Sequence, residues 1–185
     1  MRALDSGGWF DERFAGERKP TLGEVFELCK GRVGLEVHLH GSSLSFLRQV
    51  VAEVERFGLV GDVELTTAHT PLLPHVRTLN PALRSRTFYH EPEEWKPVRL
   101  AQRHILDWAG LLGSTHVHLD VSLLTCGFVN LLRRGGFIVH GSNLDTNEEI
   151  ERGLSAGVDQ FSTGRLGLAR ELRDAFAQSR TSPSI

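Results

Sequence analysis

Three polar side chains at alternate positions, Glu36, His38 and His40 in GLEVHLHG, are the first residues in the chain whose types and spacing could do chemistry. Side chains alternate across a β-strand, so a strand here turns these three to one face and Leu35, Val37 and Leu39 to the other. An apolar layer backing three ionisable groups is the pattern of a strand that floors a polar cavity. His38-x-His40 also has a spacing that metal sites use, because both rings leave the same strand face. The other reading of the pair is hydrogen-bonded, cavity-lining histidines. His116, His118 and Asp120 repeat the one-face spacing in HVHLD, where varied polar groups on a strand are the plainer reading.

Elements able to position these groups follow from punctuation and periodicity. Thr21 with Glu24 forms a capping box after Pro20, and the helix it opens ends near Gly31, before a strand over residues 33–40. Phe46, Val50, Val54 and Phe57 repeat at helical spacing, closed by Gly58 and Gly61. Strands are expected over residues 63–67, 86–90, 116–120, 137–140 and 158–163, and helices over 71–79, 98–112, 125–134, 147–156 and 168–177. Residues 179–185 read as a frayed polar tail. Strand starts lie roughly 20 to 30 residues apart, the length of a βα unit, so six successive units imply a parallel α/β sheet. It belongs either to an open doubly wound fold or to part of an eight-unit TIM-type barrel. HLHGSSLSF lacks the three-glycine spacing of a dinucleotide site.

At 185 residues, 40% apolar and 24% charged, the chain reads as a single domain over residues 1–185, with 1–19 as a leading loop. A net charge of −2 without a basic run gives no electrostatic support for a nucleic-acid partner. Cys29 and Cys126 read as free thiols. An opening segment with early acids and no apolar h-region, and the absence of 18 consecutive apolar residues, predict no membrane insertion and a cytoplasmic protein. Trp9, Phe10 and Phe14 are expected as an apolar clasp under the barrel base, with a partner surface as the alternative. Trp95 falls on a loop after a strand, the ligand side of a barrel, where plain packing is the competing reading. Tyr89, Glu93 and Glu94 read as a solvated face.

Taken together, LDSGGWFDERFAGERKPTLGEVFELCKGRVGLEVHLHG, VELTTAHTPLLPHVRTLNPAL, VHLDVSLLT, GGFIVHGSN and EEIERGLSAGVDQFSTGRLGLARELRDA resemble, in order and spacing, the later six βα units of the glycerophosphodiester phosphodiesterase family, a metal-dependent TIM barrel. The resemblance runs over about residues 4–176 and implies an incomplete (β/α) barrel of about six parallel units. In that family a His pair does acid/base work while a carboxylate-bound divalent ion, Mg²⁺ or Ca²⁺, neutralises the phosphate. The family's His-Arg-Gly and Glu-x-Asp strand ends are not found in this sequence.

Where the resemblance leads one to expect a metal-binding Glu and a phosphate-facing Lys, the chain has His38 and His40. Neutral nitrogen donors imply Zn²⁺ or Ni²⁺ if a metal is held there at all. Thr163-Gly164-Arg165-Leu166 departs from the family's Thr-Asp-Arg-Pro, and His140 stands where a Trp is common, while Asn143 fits the family's Asn. Glu36, His118, His140, Asn143 and Trp95 are therefore the candidate substrate-side residues, with no catalytic residue assigned. The implied function is a truncated or degenerate phosphodiesterase-like domain, weakly active or inactive, taking a small phosphodiester or other small ligand. The alternatives are missing units encoded upstream of Met1, a different hydrolase using the His-x-His site, and a non-enzymatic binding or assembly module. Six units leave two unpaired sheet edges, which predicts a homodimer.

Overall fold

The computed structural model describes residues 4–181. Strands and helices alternate along the chain: α1 (Leu22–Cys29), β1 (Leu35–Leu39), α2 (Leu44–Phe57), β2 (Val63–Thr67), α3 (Leu73–Leu79), β3 (Arg84–Tyr89), α4 (Val98–Leu111), β4 (His116–Leu119), α5 (Cys126–Arg134), β5 (Ile138–Gly141), α6 (Asn147–Ala156), β6 (Gln160–Phe161) and α7 (Leu166–Thr181). The strands form one sheet in the order β1-β2-β3-β4-β5-β6, each pair parallel. A parallel neighbour is reached only by a crossover, and the helices supply it. The sheet curls into a half-barrel, and among the described residues β1 and β6 do not pair with each other.

Local signals fix the elements. Thr21 accepts from the Glu24 amide while Glu24 reaches back to the Thr21 amide, completing the expected capping box. In α2, Leu47, Val50, Val51 and Val54 are buried on one stripe, and Gly58 ends the helix in the left-handed region at φ 68°, where a Cβ would be strained. Two apolar clusters result. One packs α1, α2 and α3 on β1 and β2, and the other packs α4 to α7 on β4 and β5. Between them β3 turns buried Ser85 and Thr87 to the helix side, so the helix-side core is divided at the middle of the sheet.

Several expected bounds shift. β3 starts at Arg84 rather than 86, which brings Arg84 into the ladder opposite Glu64. β6 is only Gln160–Phe161, because Val158 is still part of the α6 stop: its amide donates to the Gly153 carbonyl. Helix α7 runs through residues 179–181 of the expected tail, and 182–185 lie outside the described residues.

Trp9, Phe10 and Phe14 do not form a clasp under the barrel; they are 82%, 70% and 42% exposed and stack on one another at 5.9 and 6.0 Å. The reason is local closure: one carboxylate, Asp5, accepts the amides of Gly7, Gly8 and Gly16, folding the segment on itself. Tyr89 is not part of a solvated face either, since its hydroxyl is buried and the ring packs on the second cluster.

Candidate functional site

Inward positions of the curled sheet carry polar and aromatic side chains on every strand, down to Gln160 of β6, and Arg86 of β3 is their centre. Its side chain is 1% exposed. Its Nη2 donates to Glu36 Oε2 on β1, Nε to Thr66 Oγ1 on β2 at 3.2 Å, and Nη1 to His140 Nδ1 on β5 at 2.8 Å, with Glu64 Oε2 3.3 Å from Nη1. In a flat sheet β1 and β5 would stand roughly 19 Å apart, four steps of about 4.8 Å. One guanidinium reaches both, which requires the curl. An isolated buried cation is costly, so the two carboxylates on one side and the imidazole on the other are what allow Arg86 to sit there.

Arg86 also fixes a tautomer. A guanidinium only donates, so His140 Nδ1 must accept and the neutral ring carries its proton on Nε2, which has no partner among the described residues. His116 lies 3.3 Å from Glu64 Oε1 and 2.9 Å from Thr115 Oγ1. Burial first, then the neighbouring cations, holds the imidazoles neutral: the pKa of His116 falls to about 4, that of His140 to about 3 and that of His118 to about 2, His140 adding to the effect on His118. Glu64 moves the other way, its carboxyl pushed up by burial against the pull of Arg86.

Above this layer a ladder of rings crosses the concave face. Centroid distances are 4.3 Å for His40–His38, 5.1 Å for His38–Phe88, 4.6 Å for Phe88–His118 and 4.1 Å for His118–His140. A cleft of about 480 Å³ opens over it at the carboxyl ends of the strands, where ligands of parallel barrels sit. A second space, about 270 Å³, lies at the amino ends beside Arg84 and Arg86.

The candidate residues are thus distributed. Glu36, His38, His118 and Asn143 line the cleft, and His140 sits beneath it with Arg86. Asn143 adopts φ 48° and is tied to Ser162, whose Oγ accepts its amide at 2.9 Å. His40 stacks on His38 without lining the cleft, and Trp95, 75% exposed, stands outside it. Asp120 caps the 3₁₀ turn Val121–Leu123. Sequence reasoning missed Arg86, Glu64 and Phe88. Their signal is the alternation in VEL and RSRTF, the same one-face pattern that singled out β1.

The residues present do not fit a hard divalent cation. Among the described residues no group of three His, Cys, Asp or Glu side chains could hold a metal. His38 and His40 give two nitrogens, fewer than the three or four protein ligands of a zinc site, and Glu36 is engaged by Arg86.

No protein-family model and no curated protein matches the chain. Solved structures do. One provisionally assigned as a glycerophosphoryl diester phosphodiesterase of Silicibacter pomeroyi superposes with a TM-score of 0.72 at 20% identity, covering 90% of this chain and 62% of that one. A glycerophosphodiester phosphodiesterase of Agrobacterium tumefaciens gives 0.70 at 19%, over 92% of this chain and 69% of its own. A phosphodiesterase of Oleispira antarctica, solved with the product sn-glycerol-3-phosphate, gives 0.65 at 16%, over 96% and 69%. At these identities the likeness establishes the fold. The chain spans 62% of the length of the first of these and 69% of the other two.

Two outcomes follow from the Arg86 layer. Arg86→Met leaves Glu36, Glu64 and His140 without their cation and should cost about 3–5 kcal/mol in urea unfolding. Arg103→Met, which breaks only the exposed pair with Asp107, should cost no more than about 0.5 kcal/mol. Equal costs would contradict the role given to Arg86.

The histidines set the pH dependence. Their folded pKa values lie below the unfolded value of about 6.5, so between the two the unfolded chain binds more protons and stability rises with pH. Their contribution is complete above about pH 6.5 and is lost as pH falls from there toward about 4 and below. Glu64, raised, acts oppositely. The difference between wild type and His118→Phe, followed by urea midpoints from pH 7 to 4.5, isolates one histidine: the variant's slope should be shallower, and parallel slopes would refute a neutral buried His118.

Proposed function

We propose that the chain is a glycerophosphodiester phosphodiesterase-like half-barrel that keeps the scaffold without the phosphodiester chemistry, weakly active or inactive as it stands. The observation that carries this reading is the state of the concave face, where the buried Arg86 is already matched by Glu36, Glu64 and His140. Phosphodiester hydrolysis needs cationic groups free to take developing charge on phosphate oxygens. It also needs an acid or base that titrates near the working pH, and His118 and His140, held near about 2 and about 3, are far from it. The fold shared with phosphodiesterases supports the ancestry. Any divalent ion the chain takes belongs at His38 and His40, as Zn²⁺ or Ni²⁺.

The expected result is no appreciable hydrolysis of glycerophosphocholine or bis-(p-nitrophenyl) phosphate with Mg²⁺, Ca²⁺ or Mn²⁺. Turnover on the order of 1 to 10³ per second would overturn the reading.

A non-enzymatic assembly role is favoured by one further observation, the outer edge of β1, which no strand among the described residues pairs, beside half-buried Leu35 and Val37. Edges with unpaired amides and carbonyls seek partners. No helix among the described residues is long and apolar enough to cross a membrane, and the two free cysteines suit a reducing, cytoplasmic setting. We expect a homodimer at micromolar concentration by light scattering behind a sizing column; a monodisperse 20.6 kDa monomer would contradict it.

A further inference from the structure

Glu36, Asp120 and Glu149 all line the cleft over the ring ladder, and among the described residues lining it there is no lysine or arginine. Of the three, Glu149 is held in its charged form by its hydrogen bonds. Glu149 accepts the amides of Asp145 and Thr146 at 2.9 and 3.0 Å, and its pKa is lowered by those bonds. Asp120 takes the Ser122 amide and hydroxyl on Oδ1 alone, at 2.8 and 2.7 Å, leaving Oδ2 for the cleft. Arg86 does not offset this charge, because Glu36 and Glu64 already match it.

His118 is the second and independent observation. It is 4% exposed, lines the cleft, and neither of its ring nitrogens has a partner among the described residues. A neutral imidazole presents one N–H and one lone pair, and a buried lone pair without a donor is a position that a ligand N–H would satisfy. Beside it Phe88, at 4.6 Å, offers an aromatic wall, which favours a cation over an anion. A phosphodiester entering the cleft would meet the carboxylates of Asp120 and Glu149, which no lysine or arginine lining it offsets among the described residues.

We propose that this cleft is a binding site for a small organic ammonium ion, its N–H donated to the free ring nitrogen of His118, its charge balanced by Asp120 and Glu149, and its carbon chain against Phe88. The site rests on the reading that the chain does not process phosphodiesters, since both concern the same cleft, but its test reads binding rather than turnover. n-Propylammonium and inorganic phosphate serve as probes of opposite charge, titrated separately while the ring resonances of ¹⁵N-labelled His118 are followed by NMR.

Propylammonium should shift the His118 resonances with a dissociation constant on the order of 1 mM. It should weaken as salt is raised. Phosphate should leave them unmoved. His118→Phe keeps the ring and removes the acceptor, and Asp120→Asn keeps the shape and removes the charge. Each should weaken binding by about tenfold, the size of one charge-assisted hydrogen bond. In the His118→Phe variant binding is read by calorimetry, and a cooperative melt shows that the variant is folded. Phosphate in place of propylammonium shifting His118, no saturable shift with propylammonium, or equal affinity in wild type and His118→Phe would each overturn the site. Hydrolysis in the phosphodiester assay would instead overturn the functional reading.

Discussion

The buried guanidinium of Arg86 is the interaction on which the rest of the half-barrel depends. It ties β3 to β1, β2 and β5 across the concave side, a connection that a flat sheet could not make. The helix-side core does not do this work, because it is divided at β3 by Ser85 and Thr87. The curl and the neutralisation of the buried Arg86 charge are therefore one arrangement: the sheet bends where Arg86 meets its counter-charges.

That arrangement decides the chemistry of the ring ladder. With Arg86 alongside and little water around them, His116, His118 and His140 remain neutral, and the proton of His140 is placed on Nε2. Neutral rings stacked at 4.1 to 5.1 Å tolerate one another, whereas charged ones would repel. The lumen is thus polar in composition but poor in available positive charge. Solved phosphodiesterases share the fold at identities too low to carry the activity with them.

Much of the scaffold was legible in the sequence. Capping at Thr21 and Glu24, the α2 stripe ending at Gly58, and the spacing of apolar runs led to six parallel βα units. The inward row on β1 was legible because apolar and ionisable residues alternate without interruption in LEVHL. Arg86 was not, since its partners Glu36 and His140 lie 50 and 54 residues away and meet only once the sheet curls. Trp95 stays open in the sequence, where a loop after a strand points to the ligand side and packing is the other reading; in the structure its ring is 75% exposed and outside the cleft.

Whether Arg86 is in fact withheld from ligands can be read directly from its own resonance. Long-range ¹H–¹⁵N spectra at neutral pH should show His140 protonated on Nε2 with Nδ1 as acceptor, and an Arg86 Nε–H signal that inorganic phosphate does not shift. A saturable shift of that signal on adding phosphate, or a His140 protonated on Nδ1, would contradict the account.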